Sequence, residues 1–183
     1  MIVRESKDHF TMITQHDHAN LSGEVAKHFQ PHLFVDENYM EDTILAIREH
    51  DRGWMGLDET PIWNDREQAP FSFMDYPLDP KLPMYRKGID EVEEMNDYAA
   101  LLCSLHYSTF HHIQNSTIPH CVEFLQHETS RQKRLYKKLL YPKQTLVDQH
   151  LQLLKLCDEI SLYVCLNEEG AKKEEEHPWY REG

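Results

Sequence analysis

The stretch LLKLCDEISLYV, residues 153–164, places a single aspartate inside an apolar helical pattern. Side chains three, four and seven positions apart share one face of a helix. On that criterion the neighbours of Asp158 are Leu151, Leu154, Leu162 and Cys165. An ionised carboxylate in apolar surroundings needs a cation or several hydrogen bonds. The stretch therefore predicts a helix whose buried face carries part of a polar centre.

Three histidines have the same placement on other predicted helices. Their same-face neighbours are apolar: Leu21 and Val25 for His18; Ala46, Ile47 and Trp54 for His50; Ala99, Leu102, Cys103 and Phe110 for His106. Asp51 follows His50 directly. Each residue taken alone could equally be a hydrogen-bonded member of the core, but together they indicate one common centre.

Three imidazoles and two carboxylates form a mixed nitrogen and oxygen set, which suits Mn, Fe, Co, Ni or Zn better than Mg. We predict one or two divalent transition-metal ions, bound by His18, His50, Asp51, His106 and Asp158. His16, His112 and His127 are left open as further ligands, and His111 is predicted to lie on the helix surface or at the rim of the site. Five further histidines are predicted to lie on the surface: His9, His28, His32, His150 and His177.

Helical periodicity covers most of the chain. The predicted helices span about 17–29, 39–51, 90–114, 119–140 and 142–166, with Pro119 and Pro142 in first turns, where a missing N–H costs nothing. Two short pieces, 1–5 and 9–15, flank a polar turn and predict a small N-terminal hairpin. The fold class is therefore mainly α, a bundle of five or more helices in one domain, 1–183.

Two segments lack helical periodicity. Residues 53–90 hold five prolines and several aromatic side chains, and such a long loop is usually functional. It is predicted either to close over a substrate, with Trp54, Trp63, Phe71, Phe73 and Tyr76 stacking on a base, or to cover one open side of the bundle. The charged segment 167–183 is predicted to be a loosely held or truncated end.

Composition narrows the function further. The 183 residues carry 19 Lys and Arg against 32 Asp and Glu, a net charge of −13, which argues against polymeric nucleic acid or an anionic membrane as partner. No apolar run is long enough for a membrane span, and no secretory signal is visible. Cys103, Cys157 and Cys165 lie in apolar helical stretches, which suits reduced thiols in a cytoplasm.

The order His18, His50-Asp51 in AIREHDRGW, then Asp158 resembles the His…His-Asp…Asp signature of the HD superfamily of metal-dependent phosphohydrolases. The resemblance implies an HD-like helical bundle in which these four residues bind the metal. More closely, MIVRE, QHDHANLSGEVAKHF, HDRGW and SLHYSTF resemble an uncharacterised bacterial family, a domain of unknown function, over nearly the whole chain. That closer resemblance implies no activity.

The HD resemblance implies hydrolysis of a phosphoester, of a nucleotide or another small phosphorylated metabolite, by metal-activated water. Asp51 and His106 are the predicted catalytic residues, with His106 a proton donor or a second-metal ligand. Arg48, Arg52 or Arg131 could hold the phosphate, although an ordinary surface ion pair is the favoured explanation for each of them. Nucleophile-elbow, P-loop and zincin motifs are absent from the sequence.

Two alternatives stay open at this point. A di-iron HD-fold oxygenase would use the same ligands with His106 and His127 essential, and a non-catalytic metal-binding or ligand-sensing protein would need no substrate turnover. The oligomeric state is open, with a homodimer as one option. The HD interpretation requires the four signature residues to lie within about 8 Å of one another, because metal–ligand bonds are roughly 2.0–2.3 Å long.

Overall fold

Helices dominate the computed structural model, which describes residues 1–34 and 36–182. They are α1 (Gln15–Lys27), α2 (Met40–Glu49), α3 (Met55–Asp58), α4 (Leu78–Met95), α5 (Asp97–Ser108), α6 (His111–Gln114), α7 (Pro119–Lys138), α8 (Gln144–Leu166) and α9 (Pro178–Arg181). Short 3-10 turns lie at Pro31–Phe34, Glu37–Tyr39, Arg52–Trp54 and Lys173–Glu175. The predicted mainly helical fold class is confirmed.

The predicted N-terminal hairpin is also confirmed. Strands β1 (Ile2–Glu5) and β2 (Phe10–Ile13) pair in antiparallel fashion, with Ile2 opposite Ile13. Ile2 is fully buried against the C-terminal part of α8. The hairpin thus closes one end of the bundle. A second, two-residue pair joins β3 (Trp63–Asn64) to β4 (Ala69–Pro70).

The core forms around α5, which packs against α2, α4, α7 and α8. Most of its side chains are buried, so the helix is apolar on nearly every side. Helix α1 packs in turn against α2 and α8. This arrangement brings one face each of α1, α2, α5 and α8 to a common interior.

The expected loop at 53–90 is wrong for its second half, because α4 begins at Leu78. Pro80 lies in the first turn of α4, where it removes no intrahelical hydrogen bond. Pro83 lies inside the helix, where proline is normally disfavoured. The buried face that includes Leu82 and Tyr85 offsets this cost, because apolar burial outweighs local propensity.

The expected single helix over 90–114 is wrong as well. Asn96 has extended backbone angles (φ −160°, ψ 126°) and separates α4 from α5. Its side chain accepts a hydrogen bond from Ala99 N at 2.9 Å and donates one to Asp42 at 2.8 Å, so it caps α5 and ties it to α2. Pro142 lies before α8 rather than in its first turn.

The C-terminal segment is held in place up to residue 182, contrary to the expectation of a loose end. Glu176 is buried and accepts a hydrogen bond from Tyr163 of α8 at 2.7 Å. His177 N donates to Asn167 at 2.7 Å, and Trp179 packs edge-on against Phe73. The segment therefore covers the end of α8. Gly183 lies outside the described residues.

A close approach of two backbones positions the segment after α2. A Cβ atom on Gly88 of α4 would lie 2.3 Å from the backbone nitrogen of Gly53. Any side chain at this point would push α4 away from the turn Arg52–Trp54. The glycine in HDRGW is thus explained by packing, and the packing fixes the chain directly after Asp51.

One buried ion-pair cluster ties α4 to α7. Arg131, 4% exposed, pairs with the fully buried Glu128 at 2.9 Å and with Glu93 at 2.7 Å, and it also pairs with Asp90. Removing one partner of such a pair leaves an uncompensated buried charge.

We expect Arg131→Met to destabilise the protein by about 3–5 kcal/mol, because Glu128 would stay buried without its cation. Urea unfolding followed by circular dichroism measures the change. Arg134→Met is the control, since Arg134 pairs with the same Glu93 from an exposed position, where ion pairs contribute about 1 kcal/mol or less. Equal effects of the two substitutions would contradict the assignment.

Candidate metal centre

Five side chains from four helical segments converge in the interior. His18 comes from α1, His50 and Asp51 from the end of α2, His106 from α5, and Asp158 from α8. The three histidines are 1–2% exposed and Asp51 is 5% exposed. The structure thus brings together all the residues of the predicted ligand set, and their binding of a metal stays a prediction.

Asp158 lies at the middle of the cluster. Its Oδ1 is 3.1 Å from His18 Nε2 and 3.4 Å from His50 Nε2. Asp51 Oδ2 lies 3.8 Å from His18 Nε2 and 3.7 Å from His50 Nε2. Around an ion with bonds of about 2.1 Å, neighbouring ligand atoms are roughly 3.0–3.4 Å apart. The four side chains are therefore close to ligand spacing.

The second nitrogen of two imidazoles is already engaged. His50 Nδ1–H donates to the carbonyl of Ile47 at 2.7 Å, and a carbonyl can only accept. His18 Nδ1 lies 2.7 Å from Ser161 Oγ, whose own hydroxyl donates to the carbonyl of Asp158 at 2.9 Å. Both rings are thereby held with the Nε2 lone pair facing the carboxylates.

In this arrangement, hydrogen-bond acceptors of the imidazoles face hydrogen-bond acceptors of the carboxylates. The lone pairs of two Nε2 atoms face the oxygens of Asp51 and Asp158, and His50 Nε2 is a buried atom without a hydrogen-bond partner. Buried acceptors of this kind repel one another unless a cation or proton lies between them. The residues present therefore fit a divalent metal ion.

When no metal ion is bound, a proton on His50 supplies the positive charge between these acceptors. Burial lowers the pKa of His50, but the carboxylates of Asp51 and Asp158 outweigh it and raise the pKa to about 9. Burial raises the pKa of Asp158, whereas the charge of His50 outweighs burial and takes that pKa well below its usual range. Burial raises the pKa of Asp51 above its ordinary value.

His106 differs from the other two histidines. Neither of its ring nitrogens has a hydrogen-bond partner, and its Nε2 lies 3.5 Å from Asp158 Oδ2. Burial lowers its pKa to about 3, so the ring is neutral at pH 7. His50, His106 and Asp158 form a second possible metal-binding group beside His18, His50 and Asp51. His50 is common to both groups, and its single Nε2 lone pair can bind one ion.

Two further side chains hold Asp51 from outside the ligand set. Gln15 Nε2 donates to Asp51 Oδ2 at 3.0 Å, and the hydroxyl of Tyr107 donates to Asp51 Oδ1 at 3.0 Å. Tyr107 stacks on Tyr85 with ring centroids 4.2 Å apart. Sequence reasoning missed Gln15, Tyr107 and Ser161. Gln15 lies three residues before His18, and Ser161 lies three residues after Asp158. This helical spacing is the signal that could have identified those two residues.

A cavity of about 220 Å³ opens next to the cluster, lined by Gln15, Asp51, Trp54, Phe73, Lys81, Tyr85, His106, Phe110, His111, His112, Asp158 and Leu162. Trp54 and Phe73 are the loop aromatics that line it, whereas Trp63 is 49% exposed elsewhere. His111 and His112 lie at this cavity, in agreement with a position at the rim.

The cation that lines the cavity is Lys81, which sequence reasoning missed because the segment was taken as a loop. None of the arginines suggested as phosphate ligands lines it. Arg52 pairs with Glu49 and Glu91, Arg131 lies in the cluster described above, and Arg48 pairs with Glu49.

Three other histidines, His16, His127 and His150, do not belong to the cluster. His127 is within 3.3 Å of Arg131 and 3.7 Å of Glu128, so it belongs to the ion-pair cluster on α7. His16 is in neither of the two metal-binding groups among the described residues. His150 was predicted on the surface, which is wrong: it is fully buried, and its Nδ1 accepts a hydrogen bond from Tyr98 at 2.7 Å.

The sequence also carries a family relationship. Residues 1–183 match the model of the family described as "Protein of unknown function (DUF3891)". The chain belongs to this family. No curated protein and no solved structure matches it. Membership of DUF3891 names no activity, and the residues of the candidate metal centre are the guide to the chemistry.

For this DUF3891 protein we expect divalent-metal affinity to rise with pH between about 7 and 9. Below the His50 pKa of about 9 the metal must displace a proton, and above it the imidazole is already neutral. Titration calorimetry with Zn²⁺ or Mn²⁺ in buffers of different ionisation enthalpy should record release of about one proton at pH 7.5. Binding without proton release would contradict the protonated His50.

We expect Ser161→Ala to weaken metal binding roughly 10- to 100-fold, because His18 loses the partner that fixes its tautomer. Competition with a chromophoric chelator measures the affinity. Ser130→Ala is the matched control, since Ser130 makes the ordinary helical hydrogen bond to Gln126 on exposed α7. An unchanged affinity in Ser161→Ala would show that Ser161 does not orient His18.

Proposed function

We propose that this protein is a metal-dependent hydrolase of a phosphoester, acting on a small phosphorylated metabolite or a nucleotide. The observation that carries the proposal is the set of facing acceptors, His18, His50, Asp51 and Asp158, of which Asp51 and Asp158 line an open cavity. A purely structural ion is usually enclosed by its ligands, whereas a catalytic ion keeps one side accessible. The resemblance of the motif order to the HD superfamily supports the same chemistry.

The ion expected here is a divalent transition metal, Mn, Fe, Co, Ni or Zn, held by His18, His50, Asp51 and Asp158. Such an ion would supply Lewis-acid activation of the phosphoester and of the attacking water. Asp51 is held by Gln15 and Tyr107, so its carboxylate is oriented before any ligand enters. A preformed ligand set of this kind loses little freedom on binding.

His106 is the second residue proposed to act on the substrate. It lines the cavity, it is neutral at pH 7, and both of its ring nitrogens lack a protein partner. A neutral imidazole can donate one N–H hydrogen bond to a phosphoryl or leaving oxygen. His106 is therefore proposed to orient the substrate through that N–H, and the buried ring is not expected to carry the charge of an imidazolium acid.

The di-iron oxygenase alternative finds less support. It needs a second complete set of ligands with His127 among them, and His127 contacts Arg131 and Glu128 on α7. A non-catalytic metal-binding or ligand-sensing role uses the same five residues. A joint measurement of metal content and phosphate release separates that role from catalysis.

The partners and location proposed follow from charge and thiol chemistry. A net charge of −13 disfavours polymeric nucleic acid, whereas a small phosphorylated substrate is compatible with a bound cation. Among the described residues, no helix has the length and apolar character needed to cross a membrane. Four free, buried cysteines favour a reducing compartment, so we infer a cytoplasmic location.

The proposal is tested by measuring metal content and activity together. Protein purified without a metal-affinity tag should contain a transition metal by elemental analysis, and with that metal it should release phosphate from a panel of monoesters and nucleotides. Asp158→Asn should lose the metal and at least 100-fold of the activity, because an amide is a poor ligand that brings no charge.

Asp148→Asn is the control on the same helix, since Asp148 is exposed and bonded only to Gln144 at 2.7 Å. It should keep both metal and activity. A wild-type protein that binds metal, loses stability when the metal is removed and turns over no phosphoester would favour the structural role. Iron with an absorption band that changes on oxidation would favour the oxygenase.

A further inference from the structure

Lys81 is a buried cation that forms no ion pair among the described residues, and Asp75 is the carboxylate whose charge acts on it from beyond ion-pair distance. It is 5% exposed, and its ammonium donates to the carbonyl of Phe73 at 3.0 Å and lies 5.7 Å from the ring centroid of Trp54. None of the ion pairs in the described part of the chain includes it. Burial lowers its pKa, which reflects the cost of holding this charge away from water.

This cation lies on the wall of the same cavity as Asp51, His106 and Asp158. A lysine in such a place is expensive to bury, and a carbonyl with an aromatic ring compensates only part of the cost. An ammonium has three donors, and the carbonyl of Phe73 is the one hydrogen-bond acceptor that Lys81 has among the described residues, so a ligand can supply further acceptors. The part of the cavity next to Lys81 is therefore suited to an anion.

The rest of the wall is aromatic and apolar. Besides Lys81 and the metal-binding residues, the cavity is lined by Trp54, Phe73, Tyr85, Phe110 and Leu162. The side-chain oxygen of Gln15, which is 3% exposed, is buried without a hydrogen-bond partner in this wall. The wall thus offers one cation, one free acceptor and a large apolar surface to whatever enters.

The size of the cavity limits what can enter. About 220 Å³ is room for roughly seven waters at liquid density, below the roughly 300–1,000 Å³ typical of drug-sized ligands. A phosphate group and a compact organic group of about one ring fill this space. A nucleoside triphosphate would leave most of its atoms outside.

We infer that the cavity is specific for small phosphomonoesters with a compact apolar or aromatic group, and that Lys81 is the residue that binds the phosphate. The inference rests on the proposed function for the identity of the anion as a phosphoester. The aromatic wall receives the organic group, and the free oxygen of Gln15 accepts a hydrogen bond from a hydroxyl or water beside it.

Lys81→Met tests the anion site, because methionine keeps the length of the side chain and removes its charge. We expect the dissociation constant of inorganic phosphate on the metal-loaded protein to rise roughly tenfold to hundredfold, the loss of one charged hydrogen bond. The melting temperature should stay the same or rise, since a buried unpaired charge is removed. Titration calorimetry and thermal unfolding measure the two quantities.

Lys87→Met is the matched control on the same helix, since Lys87 has a side-chain exposure of 68% and pairs with Glu91. It should change neither phosphate binding nor melting. If Lys81→Met binds phosphate as tightly as the wild type, the inference is overturned. If it melts lower and loses the metal as well, Lys81 serves to hold the carbonyl of Phe73, and the inference is overturned too.

Substrate size is tested with phenyl phosphate, methyl phosphate and a nucleoside triphosphate. We expect the highest kcat/KM for phenyl phosphate, and Phe73→Leu should reduce its advantage over methyl phosphate. A preference for the triphosphate would overturn the inference and leave the proposed function standing. If no ester is hydrolysed while phosphate still binds through Lys81, the proposed function fails and the anion site stands.

Discussion

The central constraint in this molecule is the burial of acceptors that face one another. His18 and His50 turn their Nε2 lone pairs toward Asp51 and Asp158, and these side chains are buried except that of Asp158, which is 18% exposed. Such a group is stable only with positive charge among its members, a proton on His50 or an ion in the middle. The packing of four helical segments depends on how this charge is supplied.

The surrounding residues are arranged to keep these acceptors in place. Ser161 and the carbonyl of Ile47 fix the two imidazoles, while Gln15 and Tyr107 fix Asp51. The contact between Gly53 and Gly88 holds α4 directly against the turn that follows Asp51. The candidate ligands, the groups that orient them and the backbone contact behind them therefore form one unit, as is usual in metal sites.

The same contact between α4 and the turn brings Lys81 to the cavity. The cavity is lined by a buried lysine, by aromatic side chains, and by two carboxylates, of which Asp51 is buried and Asp158 is 18% exposed. In an acidic protein these local charges matter more than the net value of −13. A small anion that entered would meet Lys81, and a second cation once a metal was bound.

The sequence by itself determined the mainly helical fold, the N-terminal hairpin and the five residues of the cluster. These were predictable because a polar side chain within an apolar helical face has few explanations, and periodicity reveals it residue by residue. Asp158 in LLKLCDEISLYV and the pair His50-Asp51 show this most clearly.

Only the tertiary structure decided which other residues share the site. Lys81 and Tyr107 reach the site through packing of α4 and α5, and no local pattern marks them. The prolines of α4 suggested a loop, but the apolar face that this helix buries outweighs the cost of proline in a helix. Asn96 separates α4 from α5, although the periodicity of the sequence alone predicted one continuous helix there. His150 and His127 were placed by partners distant in sequence or on another face of the helix. Long-range contacts decide burial, and burial decides which polar residues can act together.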